Sequence, residues 1–179
     1  LPTTYDRLAE DVRIGEPILL ADGSIELEVV SIVGPDLTCI VKVGGGVTSN
    51  KGMNLPKSEL KVPALVDKDR NDLEFGLELG VAYVALSFVR VPHDVLVVRD
   101  IMVKRGRRVP IISKIEKPQA VERLGPILDV SDGIMIARGD LGVELPAERV
   151  PTVQRNAIRL ARARGKQTIV ATQMLVSMT

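Results

Sequence analysis

The segment from residue 111 to residue 144 constrains the fold of this chain more than any other. It opens on an apolar, strand-like run that ends in Lys114 and Glu116. Because side chains at positions i and i+2 of a strand share a face, these two groups are predicted to point the same way. A helix-like segment begins at Pro118, and a second apolar run leads to Asp140. The order strand, helix, strand predicts a parallel α/β unit with these ionisable groups at its carboxyl edge, where such folds keep their chemistry.

The residue types at this edge suit one kind of chemistry. Glu116 and Asp140 at the ends of neighbouring strands could hold one Mg²⁺ ion, which usually takes one or two protein carboxylates together with water and substrate oxygens. Lys114 could stabilise an enolate or a transferring phosphoryl group as a point charge. Gly139 leaves the backbone open to an anionic substrate. The competing interpretation is a salt bridge between Lys114 and Glu116 with Asp140 as a helix N-cap, and it explains the single residues better than their combination.

The composition favours a core built from aliphatic side chains. Hydrophobic residues make up 45% of the 179 residues but aromatic residues only 2%, so Val, Ile, Leu and Ala must fill the core, as in buried parallel strands. The 24 basic and 23 acidic residues nearly balance, so no nucleic-acid surface is predicted. No run is apolar and long enough to suggest a membrane span. The single cysteine, Cys39, excludes an internal disulfide and is expected to be a buried hydrophobe, and the chain is expected to be cytoplasmic.

The order of strand-like and helix-like segments divides the chain near residue 62. Residues 1–62 are predicted to form a small all-β unit, with a hairpin turn at Asp22-Gly23. Residues 63–179 are predicted to form alternating strands and helices, with strands ending near Ser87, Glu116, Asp140 and Thr172. The predicted fold class is therefore α/β: a partial (β/α)₈ TIM barrel of four parallel strands with helices, preceded by part of a small all-β barrel domain.

Two helices of the second unit are predicted in more detail. A helix over 67–79 is expected to end at Gly80 as a C-terminal cap, and its candidate packed positions are Leu73, Phe75, Leu77 and Leu79. A single helix is predicted over 118–128.

Three motifs resemble the pyruvate kinase family. They are Ser-Lys-Ile-Glu at 113–116, Asp-Gly-Ile-Met-Ile-Ala-Arg-Gly-Asp-Leu-Gly-Val-Glu at 132–144 and Ala-Thr-Gln-Met-Leu-Val-Ser-Met at 171–178, and they follow the order of the family. The resemblance implies that 1–62 is part of a lid domain and 63–179 part of the barrel domain. It also implies an internal fragment that begins inside the lid and stops just after Thr172.

The resemblance implies phosphoryl transfer between phosphoenolpyruvate and ADP, giving pyruvate and ATP in glycolysis. Glu116 and Asp140 would bind Mg²⁺ or Mn²⁺, whereas the family's K⁺ site would lie outside this chain. A homotetramer is expected at full length, without nucleic-acid or membrane partners. The implied catalytic residues are Lys114 and Thr172, the substrate-binding residues are Lys114, Ala137, Arg138, Gly139, Asp140 and Thr172, and the nucleotide-binding residue is Lys51.

Some residues depart from the family pattern or stand beside the site. Ala21 replaces an expected aspartate before Asp22, which weakens any nucleotide or metal role for that turn. Lys117 replaces a commoner asparagine. Ser87, Phe88 and Arg90 match a strand end of the family beside the site. For Ser87 and Arg90 a structural hydrogen bond or ion pair is favoured over contact with substrate.

Two other functions are compatible with the sequence. One is a Mg²⁺-enolate aldolase or lyase on the same kind of barrel, which would share the two carboxylates but would not need Lys114 or the preceding β unit. The other is a non-catalytic fragment, since four parallel strands leave two open edges. Little or no kinase activity is expected of the isolated chain.

Overall fold

The computed structural model describes residues 1–49, 51–58, 63 and 65–171. The chain divides into two compact units, Leu1–Val62 and Pro63–Thr179. None of the helices in the described ranges is long and apolar enough to cross a membrane.

The first unit is an antiparallel sheet with a short helix. The predicted hairpin at Asp22-Gly23 is confirmed, because Leu20 pairs with Ile25 and the turn residues Ala21, Asp22 and Gly23 have φ of 50°, 57° and 82°. Its elements are α1 (Leu8–Asp11), β1 (Pro17–Leu20), β2 (Ile25–Val33), β3 (Asp36–Val43) and β4 (Met53–Asn54), in the sheet order β3-β2-β1-β4.

A small aliphatic core holds this sheet and helix together. Val29 is fully buried and packs with Leu8 of α1 and Ile18 of β1. Cys39 is only partly buried and packs against the edge of this core, so the prediction of a buried cysteine is wrong. Burial is still sufficient to raise the pKa of the Cys39 thiol.

The second unit is a parallel sheet flanked by helices, which confirms the predicted α/β class. Its four strands lie in chain order, β5-β6-β7-β8, and all three pairings are parallel. The elements are α2 (Asp67–Leu79), β5 (Val84–Leu86), α3 (Pro92–Lys104), β6 (Ile111–Ile115), α4 (Pro118–Glu122), α5 (Leu124–Val130), β7 (Gly133–Ile136), α6 (Arg138–Glu144), a 3₁₀ turn (Ala147–Arg149), α7 (Val150–Ala163) and β8 (Gln167–Val170).

Aliphatic side chains fill the core of this unit, as the composition predicts. Ile111 and Ile115 of β6 and Ile134 and Ile136 of β7 are fully buried. The helix residues that complete the same cluster include Val95, Met102, Leu124, Ile127, Leu128, Ala157 and Ala161.

The helix predicted over 118–128 is two helices, α4 and α5, which meet at Arg123. Pro126 explains the break, because a proline in a helix has no N–H for the carbonyl four residues earlier and its ring clashes with that carbonyl. The carbonyl concerned is that of Glu122, the last residue of α4. The chain resumes as a helix when the Ile127 N–H donates to the Arg123 carbonyl at 3.0 Å.

Two of the four packed positions predicted for α2 are wrong. Leu73 and Leu77 are buried, whereas Phe75 is 62% and Leu79 69% exposed. Residues four apart share a helix face and residues two apart do not, so only one of these two pairs can face the core. The predicted cap is confirmed, since Gly80 adopts a left-handed φ of 75° at the end of α2.

Candidate active site at the carboxyl ends of the parallel strands

The sheet register brings three strand ends to one edge. Leu86 of β5 is paired with Ser113 of β6, and Ile115 of β6 with Ile136 of β7. Residues that follow these strands therefore lie beside one another at the carboxyl edge, and the Ala137 N–H reaches the Ile115 carbonyl at 3.4 Å. This is the edge at which parallel α/β sheets hold their ligands.

Lys114 and Glu116 face each other at this edge, as their spacing predicts. Lys114 Nζ lies 2.6 Å from Glu116 Oε1, and the exposed fractions of the two side chains are 24% and 1%. Lys114 Nζ also donates a hydrogen bond of 3.0 Å to Ser87 Oγ, just beyond β5. The ammonium group is thus placed between two strand ends with part of its surface still accessible.

The two carboxylate oxygens of Glu116 have different surroundings. Oε2 accepts the Phe88 N–H at 2.6 Å. Oε1 is buried and accepts no hydrogen bond in the described part of the chain, because the nearby Lys114 ammonium lies close but not in hydrogen-bonding geometry. One oxygen is therefore fixed by the backbone, and the other retains capacity for a cation.

Helix α6 begins directly after β7 and brings Asp140 to the same edge. Ala137 is the N-cap residue, and the Leu141 N–H donates to its carbonyl at 2.9 Å. Asp140 lies in the first turn rather than at the cap, so the N-cap interpretation of Asp140 is wrong. The N–H groups of Arg138, Gly139 and Asp140 have no partners within the helix, as in any first turn. Such groups suit a carboxylate ligand.

The Arg138 side chain is engaged with the neighbouring strand. Its Nε donates to the Ala171 carbonyl at 2.8 Å, and Nη2 donates to the same oxygen. The Ala171 N–H in turn donates to the Ile136 carbonyl at 3.1 Å. Thr172, a predicted catalytic residue, lies outside the described residues.

Sequence reasoning missed a cluster around Lys117. Lys117 Nζ lies 2.5 Å from Glu144 Oε1 and 5.8 Å from the centroid of the Phe88 ring. The one sequence signal noted at this position is the lysine in place of the commoner asparagine of the family. Neither Glu144 nor the Phe88 N–H could be found from spacing, since the two hydrogen bonds join residues 27 and 28 positions apart.

Lys51 and Arg90 are two further residues singled out from the sequence. Lys51 is exposed and precedes β4 in the first unit. Arg90 N–H and Val91 N–H donate to Asp94 Oδ2 at 2.8 and 3.1 Å, and Arg90 Nε lies 3.9 Å from the same oxygen. Asp94 thereby caps the start of α3. Arg90 forms a hydrogen bond and an ion pair with Asp94, which is the kind of structural role that the sequence analysis favoured for Arg90.

Metal-binding capacity at the edge depends on two carboxylates. Among the described residues, no group of three or more His, Cys, Asp or Glu side chains could hold an ion. Glu116 and the half-buried Asp140 follow neighbouring strands. A cation there would need water or substrate oxygens to complete its coordination, which is usual for Mg²⁺.

A second ionic cluster lies at the opposite, amino edge of the sheet. Asp132 Oδ2 accepts hydrogen bonds of 2.8 Å from both the Ile111 N–H and Arg99 Nη2. Burial alone would raise the pKa of Asp132, but these two donors and the positive charge of Lys166 outweigh it, so that the pKa lies below its usual value. The cluster joins β6 to the start of β7 and α3, far along the strands from Lys114.

Comparison with known proteins points to one family. A family model described as the barrel domain of pyruvate kinase matches residues 1–179. The pyruvate kinases of Mycobacterium intracellulare and Corynebacterium efficiens are each 54% identical over 176 residues, which is 98% of this chain and 37% of each relative. The pyruvate kinase of Thermotoga maritima is 48% identical over 171 residues, 96% of this chain and 37% of the relative. The chain thus spans 37% of the length of these relatives.

Proposed function

This chain belongs to the pyruvate kinase family, and we propose that it supplies part of a site for reversible phosphoryl transfer between phosphoenolpyruvate and ADP. The products in the forward direction are pyruvate and ATP. The observation that carries the proposal is the Lys114–Glu116 pair, in which Glu116 Oε1 is buried and accepts no hydrogen bond from residues 1–49, 51–58, 63 or 65–171. The activity is proposed for the whole protein, since this chain spans 37% of the length of its relatives.

Glu116 and Asp140 are the proposed ligands of a Mg²⁺ or Mn²⁺ ion. Glu116 fits this role because Phe88 N–H fixes Oε2 and leaves Oε1 without a hydrogen bond. Asp140 fits it as a half-buried carboxylate at the end of the next strand. Bound there, the cation would supply positive charge to phosphate and enolate oxygens.

Lys114 is the proposed electrostatic partner of the transferring phosphoryl group. Its ammonium is 24% exposed and is held by Ser87 and Glu116, so a substrate can reach it without a rearrangement of the side chain. As the bond between phosphorus and the enol oxygen breaks, negative charge spreads over the phosphoryl oxygens and the enolate oxygen. A fixed positive charge stabilises that distribution more than it stabilises the ground state.

The first turn of α6 is the proposed binding site for the substrate carboxylate. The N–H groups from Ala137 to Asp140 lie at the positive end of the helix, and the Arg138 side chain is occupied by the Ala171 carbonyl, so Arg138 would act through its backbone. Thr172 would contact the same carboxylate or provide the proton path to the C3 atom of the enolate.

The remaining assignments depend on the family resemblance. Lys51 would contact the nucleotide phosphates, and K⁺ would bind through residues outside this chain. We place the whole protein in glycolysis in the cytoplasm, as a homotetramer, with no nucleic-acid or membrane partner.

Calorimetric titration of Mg²⁺ with phosphoenolpyruvate into this chain tests the proposed site. Saturable binding that requires both components is expected. Glu116→Gln and Asp140→Asn should each abolish it, whereas Glu122→Gln, which changes an exposed carboxylate on α4, should leave it unchanged. Binding that survives in both site variants would contradict the ligand assignment. Failure of the folded wild-type chain to bind would contradict the proposed function of this site.

A further inference from the structure

Lys117 lies among the three strand ends that form the candidate site. Its ammonium is 2.5 Å from Glu144 Oε1, at the last residue of α6, and the two side chains are 14% and 2% exposed. The same ammonium lies 5.8 Å from the centroid of the Phe88 ring, which is within the range of a cation–π contact. One part-buried cation thus joins the chain after β5, the end of β6 and the far end of α6.

Phe88 holds an unusual backbone conformation next to Glu116. Its φ of 54° lies in the left-handed region, which residues other than glycine seldom adopt. Burial of the ring does not explain this conformation, because Phe88 is 52% exposed. Strained residues persist where their surroundings fix them, and they cluster at functional sites. Among the described residues, Phe88 places its ring over the Lys117 ammonium and donates its N–H to Glu116 Oε2.

Stability alone gives a weak reason for the Lys117–Glu144 pair. Removing two charges from water offsets most of the attraction between them, so buried ion pairs are poor evidence for stabilisation. A better-supported use of such pairs is to fix how elements meet. Here the pair fixes α6, whose first turn carries Asp140, against the end of β6, which carries Glu116.

We propose that Lys117 is a positioning residue: it holds the Phe88 backbone so that its N–H fixes Glu116 Oε2, and it holds α6 through Glu144. The proposal deepens the function proposed above and rests on the metal-binding role given there to Glu116. In this role Lys117 needs no contact with substrate or metal. Its effect is to present Glu116 Oε1 and Asp140 in one orientation before a ligand binds.

The first test measures the Phe88 amide of the ¹⁵N-labelled chain by NMR, without metal or substrate. Lys117→Met removes the charge but keeps the aliphatic stem. We expect its Phe88 amide to exchange with solvent about tenfold faster or more and its resonance to move upfield, because the hydrogen bond to a carboxylate is weakened. Lys117→Arg should restore most of both properties.

Two further variants control this measurement. Lys166→Met removes a part-buried lysine that donates to the Ser131 carbonyl at the amino edge, and it should leave the Phe88 amide unchanged. Lys117→Met with Glu144→Gln removes both charges of the pair and serves as the second variant if the single variant fails to fold. The double variant should still show the faster exchange. An unchanged Phe88 amide in folded Lys117→Met, or in the folded double variant, would overturn the proposal.

The second test measures Mn²⁺ affinity in the presence of phosphoenolpyruvate by electron paramagnetic resonance. Lys117→Met should weaken Mn²⁺ binding by about tenfold, the lower end of the effect of outer-shell partners on metal sites, and Lys117→Arg should weaken it much less. Equal affinities for wild type and Lys117→Met would overturn the positioning role. No binding by the wild-type chain would instead count against the proposed function, while the amide measurement would still decide whether Lys117 orders Phe88.

Discussion

Lys114 Nζ lies 2.6 Å from Glu116 Oε1, yet within the described part of the chain that oxygen accepts no hydrogen bond of good geometry. The two groups attract each other as charges, and Lys114 directs a hydrogen bond to Ser87 Oγ instead. A carboxylate that is 1% exposed and held by one backbone N–H needs a positive charge nearby. Lys114 provides that charge in the chain as it stands, and the proposed cation would add a second.

Lys114→Met is expected to destabilise the chain by about 3 kcal/mol, because a buried glutamate loses its counter-charge. Mg²⁺ should then recover more stability in the variant than in the wild-type chain, since the ion replaces the lost charge. Urea unfolding with and without Mg²⁺ measures both effects. Lys68→Met is the control: its pair with Asp72 is 79% and 61% exposed, so its loss should change the stability far less than the loss of Lys114. Equal losses in the two variants would contradict this prediction.

Asp132 is expected to make the stability of the chain depend on acid pH. Its pKa is lowered in the folded state, so its stabilising contribution is complete above the unfolded pKa of about 3.9 and disappears as pH falls through the folded value. Asp132→Asn should therefore be less stable than wild type at neutral pH, with a gap that narrows on acidification below about pH 5. Urea unfolding over a pH series measures the gap, and a gap that stays constant would disprove the assignment.

Gly80→Ala is expected to destabilise the chain by about 1 kcal/mol, because Gly80 has a φ of 75° at the end of α2 and an added Cβ is strained there. Gly76→Ala, four residues earlier in the same helix, should stabilise by about 0.5–1 kcal/mol. Its Cβ would meet only the Val81 methyl groups at 3.7 and 3.8 Å, which is ordinary contact. Thermal unfolding of both variants should give shifts of opposite sign, and shifts of the same sign would refute the argument.

Gly133→Ala is expected to cost about 1–3 kcal/mol through overpacking at the start of β7. The new Cβ would lie 2.8 Å from Ile112 Cδ1 and 3.0 Å from the Gln167 backbone oxygen. Ile112→Val removes the first of these obstacles, so the double variant should lose less stability than the sum of the single variants. Chemical denaturation of the four proteins gives this cycle, and simple additivity would show that Ile112 is not the obstacle.

The sequence was most informative where structure is local. The i, i+2 spacing placed Lys114 and Glu116 on one face, and the Asp22-Gly23 turn and the Gly80 cap were read correctly from turn chemistry. The same reasoning failed for the packed face of α2 and for the length of the helix that follows β6. The apolar run of α2 suggested four packed positions, but only Leu73 and Leu77 share the buried face. The effect of Pro126 on the carbonyl of Glu122 was also readable from the sequence, and the prediction of one long helix overlooked it.

The sequence by itself determined the class of fold and the chemical groups at the sheet edge, because strand alternation, helix caps and turns depend on neighbouring residues. Only the tertiary structure decided which groups meet across that edge. The Phe88 N–H reaches Glu116 from 28 positions away, and Lys117 reaches Glu144 from 27 positions away. Such pairs depend on the register of β5, β6 and β7 and on the placement of α6. Spacing along the chain cannot supply these contacts, since they arise only when the strands pair and the helices pack around them.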